Sequence, residues 1–530
     1  VVHSLRSQHN TAINGAKTGF ARESLNTLSN GASASMTLGG TESDYRMLSY
    51  LGRVMYDYKG KYYATASFRS DGVSVFSPDF RRGNFYSGSL AWKVTEDFLK
   101  DIKELDMMKL RIGWGQTGNS AIGGGFQYLD VISDAIWFSP VFGDNQTIAT
   151  AQYAYQTIAA KGIHWESAEM INAGVDVIMF GNKLNASIEY YIKNNNDLLV
   201  KRPIPMAMGY LPGKTGAQPW TNSGKIVNKG IEISAQWHDI IGKFNYGVGT
   251  NFTTIKNTVN YLPVPSIISS NANNQTIEGH SIGALYGYVA KGIIQLTDAY
   301  YTRDANNNFT KDAAGNYTGY KFGKQEGVQP QPGDIRYQDS NADGVIDASD
   351  RTLIGKTIPS ISYTLSFDCS YKSFDFNVFF NGVTDFDIYN AQRANLSSIS
   401  VGTSGGTDGN KLNDFAVNHW TEANASTTHV RVDLTNKNKN SQISSFWIED
   451  GSFLRIKDLQ LGYTLPAKAC KYAGVANLRV YANGSNLYNF TKYKGRDPEG
   501  FMSNDPLMSG TDNGSYVTPR SVTLGLQIGF

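Results

Sequence analysis

This chain lacks the residues that would build a disulfide framework, a zinc cluster or an apolar spanning helix. Its 530 residues include two cysteines, Cys369 and Cys470. A lone pair so far apart in sequence makes neither a disulfide scaffold nor a metal site, so both are expected to be free. No run of 18 apolar residues occurs, which excludes a transmembrane helix but not a β-barrel, whose strands carry no continuous apolar run. Charge nearly cancels: 48 Lys and Arg against 46 Asp and Glu leave +2, so nothing electrostatic points to nucleic acid. The 7 histidines form no HExxH or His-x-His cluster, and each reads as a surface or lumen residue. No GxSxG is present, and the glycines of residues 115–126 lack the GK[ST] ending of a phosphate loop. No catalytic constellation emerges, and a non-enzyme is expected. The chain starts at Val1 without a charged-then-apolar leader, and reads as a mature protein or a fragment.

What is plentiful is tyrosine, at 31, and glycine, at 54. The closing stretch "SVTLGLQIGF" alternates perfectly: Val522, Leu524, Leu526, Ile528 and Phe530 against Ser521, Thr523, Gly525, Gln527 and Gly529. The same period of two runs through "KLNASIEYYIK", "GIEISAQWH", "FNYGVGTNF", "SISYTLSFDCSYK" and "FDFNVFF", so one face of each strand is apolar and the other polar. Many runs last about 9 to 13 residues, beyond the usual 5 to 6 and in the range of a tilted membrane strand. Charges on the polar face, such as Glu189, Lys193 and Asp368, suit a wet lumen better than a dry sandwich core.

Connections sharpen the reading. Links of two or three residues ("KGK" 59–61, "GNK" 181–183, "IGK" 241–243, "KS" 372–373) alternate with long polar stretches near 118–167, 195–225, 258–359, 389–450 and 491–519. Short turns on one rim and long loops on the other define an outer-membrane barrel. The predicted fold is all-β: an antiparallel transmembrane β-barrel with long extracellular loops. Residues 1–48 are expected to be an extracellular loop region, and 49–530 barrel with about thirteen crossings. An extracellular insertion at 258–359 includes the strand-like 284–294. Thirteen is odd, and single-chain bacterial barrels use even numbers, so the chain is expected to be the C-terminal part of a larger barrel. Its last strand should run inward, leaving Phe530 on the periplasmic side. There a terminal aromatic looks like the C-terminal barrel-insertion signal, with Val522, Leu524, Leu526 and Ile528 as its apolar face.

The sharpest chemical motif is "DSNADGVIDASD", residues 339–350. Asp339, Asn341 and Asp343 occupy positions 1, 3 and 5 of a calcium loop, with Gly344 at the sharp turn. Val345 would offer its carbonyl at 7, with Asp347 at 9 and Asp350 at 12. Hard Ca²⁺ takes six to eight oxygens, and this spacing wraps them around one point. Asp350 departs from the usual Glu. A structural Ca²⁺ pinning an extracellular excursion is expected, against a simple solvated acidic turn. The tryptophans Trp137, Trp165, Trp220, Trp420 and Trp447 lie on or beside loops, where they could serve as sugar platforms or as an interfacial belt.

In combination, "YLGRVMYDYKGKYYATASFRSDGVSVF" (50–76), "MKLRIGWGQTGN" (108–119), "NSGKIVNKGIEI" (222–233), "PGDIRYQDSNADGVIDASDRTLIGK" (332–356) and "FLRIKDLQLGYTLP" (453–466) resemble the barrel of SusC/RagA-type TonB-dependent transporters. That resemblance implies a 22-stranded, plugged barrel of an active nutrient importer in the bacterial outer membrane, of which this chain holds the last thirteen strands. It also implies a SusD-like lipoprotein lid, uptake of oligosaccharides or peptides driven by the TonB complex, and pairing into a dimer of transporter–lid pairs. The plug and the TonB-contacting part have no counterpart in these residues. Two other readings stay open: a passive outer-membrane channel, and a soluble calcium-stabilised glycan-binding or adhesive β-protein.

Overall fold

A computed structural model describes residues 1–24, 27–121, 126–134, 141–142, 148–149, 153–202, 219–296, 300–313, 315–321, 324–398, 410–433, 440–472, 474–500, 505–514 and 516–530. Fourteen strands follow one another in a single antiparallel meander. They are β1 (Val2–Ala16), β2 (Thr37–Tyr58), β3 (Tyr62–Val73), β4 (Arg82–Lys93), β5 (Leu105–Asn119), β6 (Glu166–Met179) and β7 (Leu184–Lys201), continuing with β8 (Trp220–Ile241), β9 (Phe244–Thr254), β10 (Ile361–Tyr371), β11 (Phe374–Thr384), β12 (Phe453–Thr464), β13 (Asn477–Thr491) and β14 (Ser521–Gly529). A further segment, Lys256–Tyr261, pairs with the loop-side half of β8. Lengths reach 22 residues in β2 and β8, far beyond a soluble strand.

The meander corrects one expectation. Residues 1–48 are not a loop region: β1 pairs with β2 through all of Val2–Ala16, and only Met47–Tyr58 of β2 goes on to pair with β3. The sequence between Val2 and Leu48 alternates poorly because both faces of this hairpin are exposed, so no buried face imposes a period on it. The meander holds fourteen strands, of which β1 overlaps the β3-paired part of β2 only over Val2–Arg6, so β2 to β14 are the expected thirteen crossings. Among the described residues no ladder joins β1 to β14.

At the short-turn rim the chain reverses in a few residues. Gly60 and Gly242 take φ of 64° there, a conformation that costs glycine little. At the opposite rim the excursions fold. Residues from 285–346, 389–447 and neighbouring segments share one hydrophobic core, with Leu285, Ile335, Ile346, Ala394, Val430 and Trp447 fully or almost fully buried. The last excursion joins it: Tyr389 donates its amide to the Gly510 carbonyl at 2.8 Å, and Asp512 returns an amide to the Tyr389 carbonyl at 2.9 Å. Residues 284–294 belong to this outer body, as the short strands Ala284–Gly287 and Ala290–Ile293.

Candidate functional site

Register decides which side chains share a face. Across β7–β11 the pairs Ile188–Ile233, Trp237–Val248, Val248–Phe367 and Phe367–Val378 line up in rows. The outward residues are exposed: Val54, Leu90, Ile188 and Leu461 are all more than half accessible. β14 extends the rows, with Leu526 opposite Val480 and Leu524 opposite Ala482. Val522, Leu524, Leu526, Ile528 and Phe530, the expected insertion-signal residues, all stand exposed on this face. Water would not tolerate an apolar sheet face of this extent.

Aromatics bound the face at two heights. Near the short turns Tyr62 stacks with Trp92 (6.3 Å between centroids), Phe180 meets Trp237 (5.9 Å) and Phe374 meets Tyr463 (4.7 Å). Toward the loops stand Tyr50, the pair Phe68–Tyr86 and the pair Tyr488–Phe490. Eight residues separate Tyr50 from Tyr58 on β2, roughly 26 Å of strand at about 3.3 Å per residue. Tilted, that is on the scale of the apolar band of an outer-membrane barrel.

The opposite face is polar and cross-linked. Asp176 on β6 accepts from Lys109 at 2.9 Å and from Arg111 at 3.1 Å, both on β5. Arg111 also pairs with Glu189 on β7, whose other oxygen accepts from Asn172 at 2.9 Å. Arg479 of β13 reaches across β12 to hold Asp375 of β11 in a two-pronged pair. A side chain at Gly462, between them, would come within 2.5 Å of both partners and would have to displace the pair. Nearer the loops, Arg455 of β12 is almost fully buried between Asp497 and Glu499.

The loop at 339–350 lies in the outer body, with its six expected ligands in one turn. Gly344 takes φ 84° and donates to Asp339 Oδ2 at 2.9 Å. Asn341 Oδ1 accepts from the Asp343 amide at 3.0 Å, and Asp343 Oδ1 from the Val345 amide at 2.8 Å. Asp347 accepts from Ser349 at 2.8 Å. Asp350 is fully buried and accepts from the amides of Ser340 (2.6 Å) and Asp347 (2.8 Å), so it closes the loop from below. Asp339 Oδ1 is buried without a hydrogen-bond partner, an oxygen that suits a hard cation. The aspartates do not converge on a point: among the described residues the group that gathers three metal-binding side chains within 4.8 Å is His9, Glu42 and Asp44 on the exposed β1–β2 hairpin.

The loop tryptophans separate. Trp165, Trp420 and Trp447 are buried and donate their indole N–H to Arg81 O, Gln295 Oε1 and Asn440 O at 2.8–2.9 Å, so they are core side chains and not platforms. Trp220 is partly exposed beneath Lys201 (5.3 Å), and Trp137 lies outside the described residues. Both cysteines are free. The sequence reading missed a period-eight repeat, T-[RK]-D-A-x-x-N-[FY]-T, at 302–310 and 310–318. Both copies close identically: Asp304 Oδ1 accepts from the Asn308 amide at 2.8 Å and Asp312 Oδ1 from that of Asn316 at 2.9 Å. Arg303 covers Phe309 and Lys311 covers Tyr317. Self-comparison of the sequence would have found it.

A sheet that is apolar outside, polar inside and looped on one rim is the wall of a transmembrane β-barrel of outer-membrane type. Residues 6–349 match the family model described as TonB dependent receptor-like, beta-barrel, and the chain belongs to that family, whose members are transporters and receptors and not enzymes. The chain is 30% identical over 539 residues to TonB-dependent receptor P3 of Formosa agariphila, covering 99% of this chain and 49% of that protein. It is 28% identical over 499 residues to the TonB-dependent receptor SusC of Bacteroides thetaiotaomicron, covering 91% of this chain and 44% of that one. Its fold matches the RagAB peptide transporter with a TM-score of 0.77 at 22% identity, over 100% of this chain and 52% of that chain. The chain thus spans about half the length of the curated relatives it matches.

Proposed function

We propose that this chain forms part of the barrel of an active outer-membrane importer of the SusC type. It takes up oligosaccharides or peptides beneath a SusD-like lipoprotein lid, with energy from the TonB complex, and works as a dimer of transporter–lid pairs with the C-terminus in the periplasm. The observation that carries this reading is a polar, charge-paired inner wall behind an apolar band, in a chain whose family is that of TonB-dependent receptors. The likeness of its fold to that of the RagAB peptide transporter supports the peptide class, and the likeness to SusC supports the receptor type. Ca²⁺ in the 339–350 loop is part of the proposal. Asp339, Asn341, Asp343, Asp347 and Asp350, with the Val345 carbonyl, would close in from the hydrogen-bonded turn to hold it, and its charge would relieve the repulsion among four aspartates.

The test is uptake by whole cells together with recovery of partners from solubilised outer membranes. The importer reading expects that loss of this chain, or of the TonB complex, abolishes growth on the cargo, and that a surface lipoprotein co-purifies. A passive channel would instead leave uptake intact without TonB. Recovery of the chain from the soluble fraction, folded without detergent, would favour the calcium-stabilised binding protein.

A further inference from the structure

Two short turns carry the same unusual device. Lys59, after Tyr58 at the end of β2, has φ 57°, and Lys372, after Tyr371 at the end of β10, has φ 55°. A left-handed backbone is strained for lysine, and glycine or asparagine is the ordinary occupant. Each ammonium lies 5.2 Å from the ring of the tyrosine before it, and both tyrosines belong to the outward apolar rows. Among the described residues neither lysine has a carboxylate partner. Two exposed cations are thus held, at a backbone cost, where the apolar band meets water on the short-turn rim.

Next to Tyr62, the strand partner of Tyr58, the outward face is indented. A groove of about 540 Å³ runs between the Tyr56–Tyr62 side and the Leu110–Ile112 side, with Ala64 among its lining residues. At its short-turn end Tyr62 and Trp92 are fixed, because the Tyr62 hydroxyl and the Trp92 indole both donate to Asp97, at 2.7 and 3.0 Å. Asp97 also takes the Lys61 ammonium at 2.6 Å, so Lys61 is neutralised, while Lys59 lies over Tyr58, whose ring is 6.5 Å from that of the groove-lining Tyr62.

We infer that this groove and Lys59 form a binding site for an anionic phospholipid of the leaflet on the short-turn side. The phosphate sits at Lys59 and one acyl chain lies along the groove, and Lys372 makes the equivalent phosphate contact on β10. Charge complementarity selects the headgroup: one unpaired cation above an apolar slot favours a lipid with net negative charge over a zwitterion. The site depends on the barrel's outer surface alone and holds whatever the cargo is.

The test is native mass spectrometry of the full protein, delipidated in mild detergent and offered equal amounts of phosphatidylglycerol and phosphatidylcholine. Wild type is expected to retain phosphatidylglycerol at least fivefold better. Lys59→Gly, which relieves the strained backbone and so leaves folding intact, should lower that preference, Lys59→Gly combined with Lys372→Gly should erase it, and Lys59→Arg should keep it. Ala64→Phe, which fills the groove, should lower retention of both lipids, while Lys225→Ala on the loop side should change neither. Equal retention of the two lipids by wild type would overturn the inference, as would an undiminished preference in Lys59→Gly or unchanged retention in Ala64→Phe.

Discussion

Asp334 and Arg431 are 97 residues apart in sequence, on different excursions, and Arg431 Nε lies 2.6 Å from Asp334 Oδ1. Asn440 donates to the same oxygen at 2.9 Å and the Gln331 amide to the other at 2.6 Å. Asp334 is fully buried, and burial pushes its carboxyl above the ordinary carboxylate range while Arg431 and these donors pull it back. This pair, more than any loop-local contact, ties the excursion after β9 to the one after β11.

Removing Asp334 takes from Arg431 its fully buried partner and leaves it Asp433, at 3.1 Å. Asp334→Ala should destabilise the outer body by about 3–5 kcal/mol, the cost of breaking a buried ion pair from one side. Limited proteolysis should show new cleavage within 285–447 while the strands stay protected. Unchanged cleavage would mean that the pair is dispensable.

The Asp97 clasp gives a pH signature. Hydrogen bonds from Lys61, then from Tyr62 and Trp92, hold its carboxyl well below the ordinary range. A depressed carboxylate pKa contributes stability that is present above the ordinary value of about 4 and lost only as pH falls through the folded value. Trp92 fluorescence in detergent micelles should therefore be flat through pH 4 and change only in stronger acid. Asp97→Asn should show the opened signal already at neutral pH.

Calcium binding predicts a ligand-dependent gain in stability. At a free Ca²⁺ concentration 100 times the dissociation constant, linkage supplies about 2.7 kcal/mol to the state that binds. Protease resistance of the outer body should rise with Ca²⁺, return to baseline with chelator, and be insensitive to Ca²⁺ in Asp343→Ala. Equal resistance of wild type with and without Ca²⁺ would reduce the loop to a hydrogen-bonded turn.

The two faces of β14 should respond oppositely to charge. Leu524 points outward and is 80% exposed, so Leu524→Arg should cost about 2–4 kcal/mol if it lies near the bilayer midplane. Thr523, one residue earlier, faces the lumen side, and Thr523→Arg should cost little. Urea unfolding of the protein in lipid vesicles measures both; similar costs would mean that the faces are misassigned.

Period two and turn length made most of the barrel legible in the sequence. A strand with one face in lipid must alternate, and a short hairpin leaves its glycine signature, so the barrel part of β2 and β3 to β14 could be read one strand at a time. β1 could not, because a hairpin exposed on both faces obeys no alternation. The motif 339–350 fixed which residues share a turn, since twelve consecutive residues cannot stray far. Whether an oxygen is left free, as Asp339 Oδ1 is, depends on which amides the folded loop offers. Local patterning thus determined the strands, their faces and the short-turn rim, because each depends on neighbours within a few residues. Only the tertiary structure decided that Asp334 meets Arg431, that two excursions share one core to which a third is hydrogen-bonded, and that loop tryptophans are buried. Those contacts join segments about a hundred residues apart, and their free energy appears only once the barrel brings the ends of the excursions together.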